Sequence, residues 1–300
     1  MEAQTPSFPI IDCHIHLFDT ARPQGVPWPP KDNKALYKPA LPDRYRKIAT
    51  PLGIVGAIEV ECSPLVEDNQ WVLDTIAKET LMIGTIGNIE PGSKDFRRQF
   101  DQYRQNPLFL GIRYGNLWDR DFRAGIGRKE VIDDIKTLAA AGLTMDTANP
   151  DTNLMEDLLR LTDMVPELRL VIDHLPKLEP PLDAAKLKAY NNNLQKFAAR
   201  KQVYVKVSSI LRTVNGKIPT DLPFYKARLD QIFGVFGEDR VVYGSDWPNS
   251  DNWLEYPAVL KIAKEYFATK GPKIAEKYFW KNSVAAYRWK KRDAKQPAGV

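Results

Sequence analysis

Three observations in the sequence predict an α/β fold of the (β/α)8 kind, a TIM barrel with extra C-terminal helices. Short apolar or β-branched runs recur eight times along the 300 residues, as buried strands do. Longer stretches between them return apolar residues every three or four positions, as the inner face of a helix does. Neither G-x-G-x-x-G nor a P-loop occurs. A doubly wound sheet, with fewer strands and an early glycine-rich turn, therefore fits less well than a barrel, which takes roughly 250 residues.

The strands are read, in order, as "PIIDCHI" (9–15), "IVGAIEVE" (54–61), "LMIGTIGNI" (81–89), "LFLGIRY" (108–114), "GLTMDTA" (142–148), "LRLVIDH" (168–174), "VYVKVSS" (203–209) and "RVVYGSD" (240–246). Between them, "DNQWVLDTIAKET" (68–80), "DFRRQFDQYRQ" (95–105), "KEVIDDIKTLAAAG" (129–142), "NLMEDLLRLTDMV" (153–165) and "AAKLKAYNNNLQKFAAR" (184–200) are read as helices. Two closing helices follow, "YPAVLKIAKEYFATKG" (256–271) and "PKIAEKYFWKNSVAAYRWK" (272–290). Two long irregular segments remain. Residues 18–42 carry six prolines and Trp28, and residues 114–127 carry Trp118 and Arg120. Long βα loops in a compact barrel are usually functional, and sugars stack on tryptophan faces; anchoring of stiff loops is the competing reading.

At 43% hydrophobic content the chain can bury a large core, and no linker, repeat or low-complexity tract divides it, so residues 1–300 are read as one domain. The 43 basic residues exceed the 38 acidic ones by five, but the charges are interspersed except at Lys290, Lys291 and Arg292. This favours a small anionic substrate over nucleic acid. Cys13 and Cys62 fall in apolar runs without metal-type spacing and read as reduced, buried side chains. No apolar stretch approaches the ~18 residues of a membrane span. The opening "MEAQTPSFP" has no basic region followed by an apolar one. A cytoplasmic protein is the expectation, with export by a signal peptide absent from this sequence as the alternative. Oligomeric state is left open.

The chain has three histidines, and two of them share "IIDCHIHLFD". Alternation along a strand turns His14 and His16 one way and Cys13 and Ile15 the other. With the apolar alternates facing the helices, the histidines face the lumen at the C-terminal rim, where barrel enzymes keep their chemistry. His174 ends strand six and Asp246 ends strand eight. In a closed barrel these ends converge, so His14, His16, His174 and Asp246 form a candidate ligand set for one divalent metal.

Taken in order, "DCHIHLFD", "VECSP", "GIRYG", "VIDHLPK", "YVKVSSI" and "YGSDWP" resemble the amidohydrolase superfamily. The resemblance is to its amidohydrolase-2 branch of metal-dependent TIM-barrel hydrolases, which includes sugar-acid and pyrone-dicarboxylate lactonases. It spans about residues 9–288. It implies that His14 and His16 are the strand-one pair, His174 the strand-six histidine and Asp246 the strand-eight acid. Binuclear members carry a bridging Lys or Glu after strand four and a histidine after strand five. Here those strands end in "GIRYG" and "MDTANP", which argues against a two-metal centre. One divalent metal, zinc first, is the implied cofactor; some lactonases of the branch work with none. The usual "DHLGKP" reads "DHLPK" here, and Pro176 in place of glycine is expected to reshape the loop after strand six.

The expected reaction is hydrolysis of a lactone of a sugar acid or a related carboxylated compound. Asp246 takes a proton from water and returns it to the departing ring oxygen. His14, His16 and His174 hold the metal or donate hydrogen bonds to the developing oxyanion. Glu61, Ser63, Arg113, Lys206, Arg212, Trp28 and Trp118 are the expected substrate contacts. For Arg113 and Lys206 the competing reading is an internal ion pair with Glu59 or Glu61. A zinc-dependent decarboxylase of an aromatic or unsaturated acid, another hydrolase, and a barrel that only binds a ligand are the rival functions.

Overall fold

The computed structural model describes residues 8–298, so most of the opening segment inspected for an export signal lies outside the described residues. Eight parallel strands pair in sequence order: β1 (Ile10–Ile15), β2 (Ile54–Val60), β3 (Met82–Gly87), β4 (Phe109–Arg113), β5 (Thr144–Asp146), β6 (Arg169–Ile172), β7 (Val203–Val207) and β8 (Val241–Tyr243). The ring closes at its C-terminal rim. There Ile15 bridges Trp247, the Asp246 N–H donates to the His14 carbonyl at 2.9 Å, and the His16 N–H donates to the Trp247 carbonyl at 2.7 Å. The expected TIM barrel with C-terminal helices is the fold observed.

The helices are α1 (Pro42–Ala49), α2 (Glu67–Ala77), α3 (Phe96–Tyr103), α4 (Phe122–Ile126), α5 (Lys129–Ala140), α6 (Thr152–Met164), α7 (Ala184–Ala198), α8 (Leu222–Phe236), α9 (Tyr256–Ala268), α10 (Pro272–Glu276) and α11 (Asn282–Tyr287). Asp121, Asp151 and Asp183 cap α4, α6 and α7 by accepting from backbone N–H groups three residues on. Three helices lacked a readable period. Both α1 and α4 are short, and α8 carries Pro223 and Gly234 with apolar residues around much of its circumference. The second closing helix runs unbroken over Pro272–Tyr287, with a π-helical turn at Lys277–Lys281 joining α10 to α11.

Two buried layers hold the barrel. Ile10, Ile15, Ala57, Met82, Ile112, Leu170, Val205 and Tyr243 face outward against the helices. Ile11, Ile58, Val60, Ile83, Val171 and Val242 fill the lower interior, where Val284, Tyr287 and Trp289 plug the floor. Cys13 belongs to this interior group, which corrects the expectation that it points away from His14. The cause is a bulge: Asp12 pairs with Ala57 but Ile15 with Glu59, so three steps on β1 match two on β2. The extra residue lets Cys13 and His14 both turn inward while Asp12 and Ile15 turn out. Gly244 leaves the room His14 needs, since a Cβ there would lie 2.8 Å from the His14 Cβ.

Asp12 fixes the bulge from outside. Its Oδ2 accepts from the hydroxyls of Tyr45 on α1 and Tyr256 on α9 at 2.8 and 2.9 Å. Its Oδ1 accepts from the Ser245 and His14 N–H groups at 2.9 and 3.2 Å. Asp12→Ala strands these buried donors together and should cost roughly 3–5 kcal/mol, against about 1 kcal/mol for Tyr45→Phe. Urea unfolding measures both, and a loss below roughly 1 kcal/mol for Asp12→Ala would show that the carboxylate does not anchor β1.

Candidate active site

At the C-terminal rim the three histidine Nε2 atoms converge on one oxygen. His14, His16 and His174 place them 3.8, 3.3 and 3.7 Å from Asp246 Oδ1. The His14 ring centroid lies 4.9 Å from that of His16 and 4.3 Å from that of His174. Two of the four residues adopt left-handed backbone, His174 at φ +53° and Asp246 at φ +64°. Such conformations cost of order 1–3 kcal/mol and cluster at functional sites.

Each ring is aimed through its other nitrogen. His16 donates Nδ1–H to the Val60 carbonyl at 2.7 Å, which leaves a lone pair on Nε2 facing Asp246. His174 Nδ1 meets the Ser208 hydroxyl at 2.8 Å. His14 Nδ1 has the Lys206 ammonium at 3.1 Å and Asp173 Oδ1 at 3.6 Å, a donor and an acceptor, so either tautomer finds a partner. Asp246 Oδ2 accepts from the Asn249 amide at 2.8 Å. Its Oδ1, like His14 Nε2, is buried without a partner.

Burial, and then the Lys206 charge, hold His14 well below the usual imidazole range. Burial brings His174 down to about 4. Burial alone would raise the Asp246 carboxyl, but His174, His16 and His14 outweigh it and hold it well below the usual carboxylate range. At neutral pH the site therefore presents the neutral rings of His14 and His174 beside an ionised carboxylate. A buried lone pair facing an unpartnered carboxylate oxygen calls for a positive centre between them, and this donor set fits a divalent metal.

Beneath this cluster lies a sealed charge network. Lys206 Nζ donates to Asp146 Oδ2 at 2.5 Å and lies 3.1 Å from Asp173 Oδ1. Arg113 Nε donates to Asp173 Oδ2 at 3.1 Å. Burial first, then the neighbouring Asp173 charge, pushes Asp146 up to about 7 despite Lys206. Asp173 is held well below the usual range, because Lys206, His14 and Arg113 together outweigh its burial.

The expected substrate contacts divide. Arg113, Trp28 and Trp118 line the mouth, a cleft of about 220 Å³ that also contains His16, His174 and Asp246. Trp28 meets His16 edge-on with ring centroids 5.4 Å apart. Glu61 and Ser63 stand behind the mouth: Glu61 Oε2 accepts from Trp118 Nε1 at 3.0 Å and from the Ser63 N–H at 3.1 Å. Lys206 is fully buried below His14 with Asp146, Asp173 and His14 around its Nζ, so it has no path to a substrate. Arg212 turns to a different cleft, held by Glu179 at 2.6 Å and the Pro176 carbonyl. The alternative of internal ion pairs describes Arg113 and Lys206, but with Asp173 and Asp146 in place of Glu59 or Glu61. Pro176 is the middle residue of a short 3₁₀ turn at Leu175–Lys177. That turn brings Lys177 into the mouth beside Asn149 and Asn249. No motif marks any of the three as a rim residue, although Lys177 stands only three residues beyond His174.

Comparisons with known proteins agree with this architecture. An L-fucono-1,5-lactonase of Burkholderia ambifaria is 28% identical over 284 residues, covering 93% of this chain and 95% of its own. A zinc-bound crystal structure of an amidohydrolase from Burkholderia multivorans superposes with a TM-score of 0.80 at 19% identity, covering 94% of this chain and 99% of the other. A manganese complex of 5-carboxyvanillate decarboxylase from Novosphingobium aromaticivorans superposes with a TM-score of 0.66 at 14% identity, covering 94% and 96%. The family model for amidohydrolases matches residues 11–289, nearly the whole barrel with its rim histidines. This chain is an enzyme of the amidohydrolase family.

Proposed function

We propose that this enzyme hydrolyses a lactone of a sugar acid or a related carboxylated compound. The observation that carries the reading is the convergence of three histidine nitrogens on the ionised Asp246 inside a mouth flanked by Trp28, Trp118 and Arg113. The full-length similarity to an L-fucono-1,5-lactonase supports it. Opening a cyclic ester needs a base for water, charge stabilisation for the carbonyl oxygen and a proton for the ring oxygen.

Asp246 Oδ1 has no competing partner and serves as the base, holding the proton until it passes to the departing ring oxygen. Asn249 fixes the carboxylate through Oδ2, so Oδ1 keeps its aim. His14, His16, His174 and Asp246 would hold one divalent metal, zinc first, which when bound polarises the ester carbonyl and makes water more acidic. In a metal-free site His14 and His174, whose Nδ1 partners allow the tautomer with the proton on Nε2, would donate hydrogen bonds to the developing oxyanion. Trp28 and Trp118 offer ring faces to a sugar, and Arg113 and Lys177 offer donors to its hydroxyls or carboxylate.

Asp246→Asn tests the base directly. Asparagine tolerates φ +64°, so the fold should persist by circular dichroism while kcat for lactone opening falls about 10²–10⁴-fold. Undiminished turnover would remove Asp246 from the reaction. Arg113→Met should raise KM about 10-fold or more with little change in kcat, the loss of a charged hydrogen bond; an unchanged KM with lowered stability would leave Arg113 a structural ion pair. Exhaustive chelation should abolish turnover and zinc restore it. Turnover that survives chelation would assign the histidines as hydrogen-bond donors.

A further inference from the structure

A second, smaller cavity lies beside the mouth, between the end of β2, α2 and the loop that carries Trp28. Trp28 and Cys62 line both spaces, so the partition between them is one side chain thick. Leu17, Phe18, Trp71 and Val72 make its walls largely apolar, yet Glu59 and Glu61 also line it. Glu59 is 1% exposed; its Oε2 accepts from the Thr85 hydroxyl, and its Oε1 has no partner. Glu61 Oε1 is likewise buried and unpartnered. A buried acceptor without a donor costs about 1–3 kcal/mol. Both oxygens belong to residues that line a space of about 20 Å³, room for roughly one water-sized group that could donate.

We propose that this cavity is a subsite of the mouth that takes one exocyclic hydroxyl of the substrate, with Glu59 and Glu61 as its acceptors. The inference rests on the lactone reading and narrows it to aldonolactones bearing a terminal hydroxymethyl arm. A methyl group would fill the same volume but leave both oxygens unpartnered. A cation is poorly matched, because burial pushes the Glu59 carboxyl up to about 8, and the nearby Asp68 is already paired with Arg22 at 2.7 Å. A hydroxyl suits a neutral carboxyl, since each can donate to the other.

The test compares kcat/KM for two aldonolactones that differ only at the terminal carbon, hydroxymethyl against methyl, in wild type, Glu59→Gln and Glu59→Leu. Wild type should favour the hydroxymethyl lactone by about 10-fold or more. Glu59→Gln should keep most of that preference through its amide oxygen, and Glu59→Leu should erase or reverse it with the fold intact by circular dichroism. A wild-type preference below twofold, or an unchanged preference in Glu59→Leu, would mean that the cavity holds only water and would overturn the subsite. Calorimetric binding of the two corresponding open-chain acids reads the same discrimination without turnover. A binding difference with no lactone opening would contradict the lactone reading and uphold the subsite, whereas equal binding would overturn the subsite.

Discussion

One ammonium group sealed inside the barrel sets the terms for the site above it. Lys206 Nζ lies within 3.1 Å of Asp146, Asp173 and His14, and none of the four is exposed. Removing an ion from water is expensive, and only close, well-oriented partners offset the cost. Here two cations, Lys206 and Arg113, face two carboxylates, Asp146 and Asp173, drawn from β4 to β7. Tyr287 of α11 donates to Asp146 at 3.1 Å, so the network reaches from the floor plug up to the rim. A slip of one strand would bury an unpaired charge, and the register of these strands is fixed accordingly.

The network also prepares the chemistry. Lys206 and Asp173 give the His14 ring a donor and an acceptor on one nitrogen and turn the other toward Asp246. The bulge in β1 puts His14 above Cys13 in the lumen, and Asp12 braces that bulge from the helix layer. Asp246 is then the meeting point of supports from opposite directions, with His14, His16 and His174 on one carboxylate oxygen and Asn249 on the other. Preorganisation of this kind does its work before the substrate arrives, when no reorganisation need accompany the transition state.

Much of this was legible in the sequence because it follows from periodicity and topology. Eight strand-like runs gave the barrel, and barrel closure brought His14, His16, His174 and Asp246 to one rim. What escaped depended on departures from regularity. The outward reading of Cys13 failed because alternation assumes an unbroken strand, and the bulge adds a residue. Lys206 and Arg212 read as rim cations because a sequence carries no depth: one lies beneath the histidines and the other turns behind the Pro176 turn. Helices α1 and α4 are too short to show a period, and α8 hides its period under apolar residues on several sides. Lys177 enters the mouth only through the 3₁₀ turn Leu175–Lys177.

On the lactone reading, the carboxylate among the histidines opens cyclic esters. A pH-indicator assay of the purified protein against a panel of aldonolactones and carboxylated lactones, run beside a carbon dioxide assay on aromatic carboxylic acids, tests it most directly. Acid release from at least one lactone, one equivalent per ring opened, with no carbon dioxide, is the expected result. Carbon dioxide release with no acid from any lactone would contradict it and make the same residues the site of a decarboxylase.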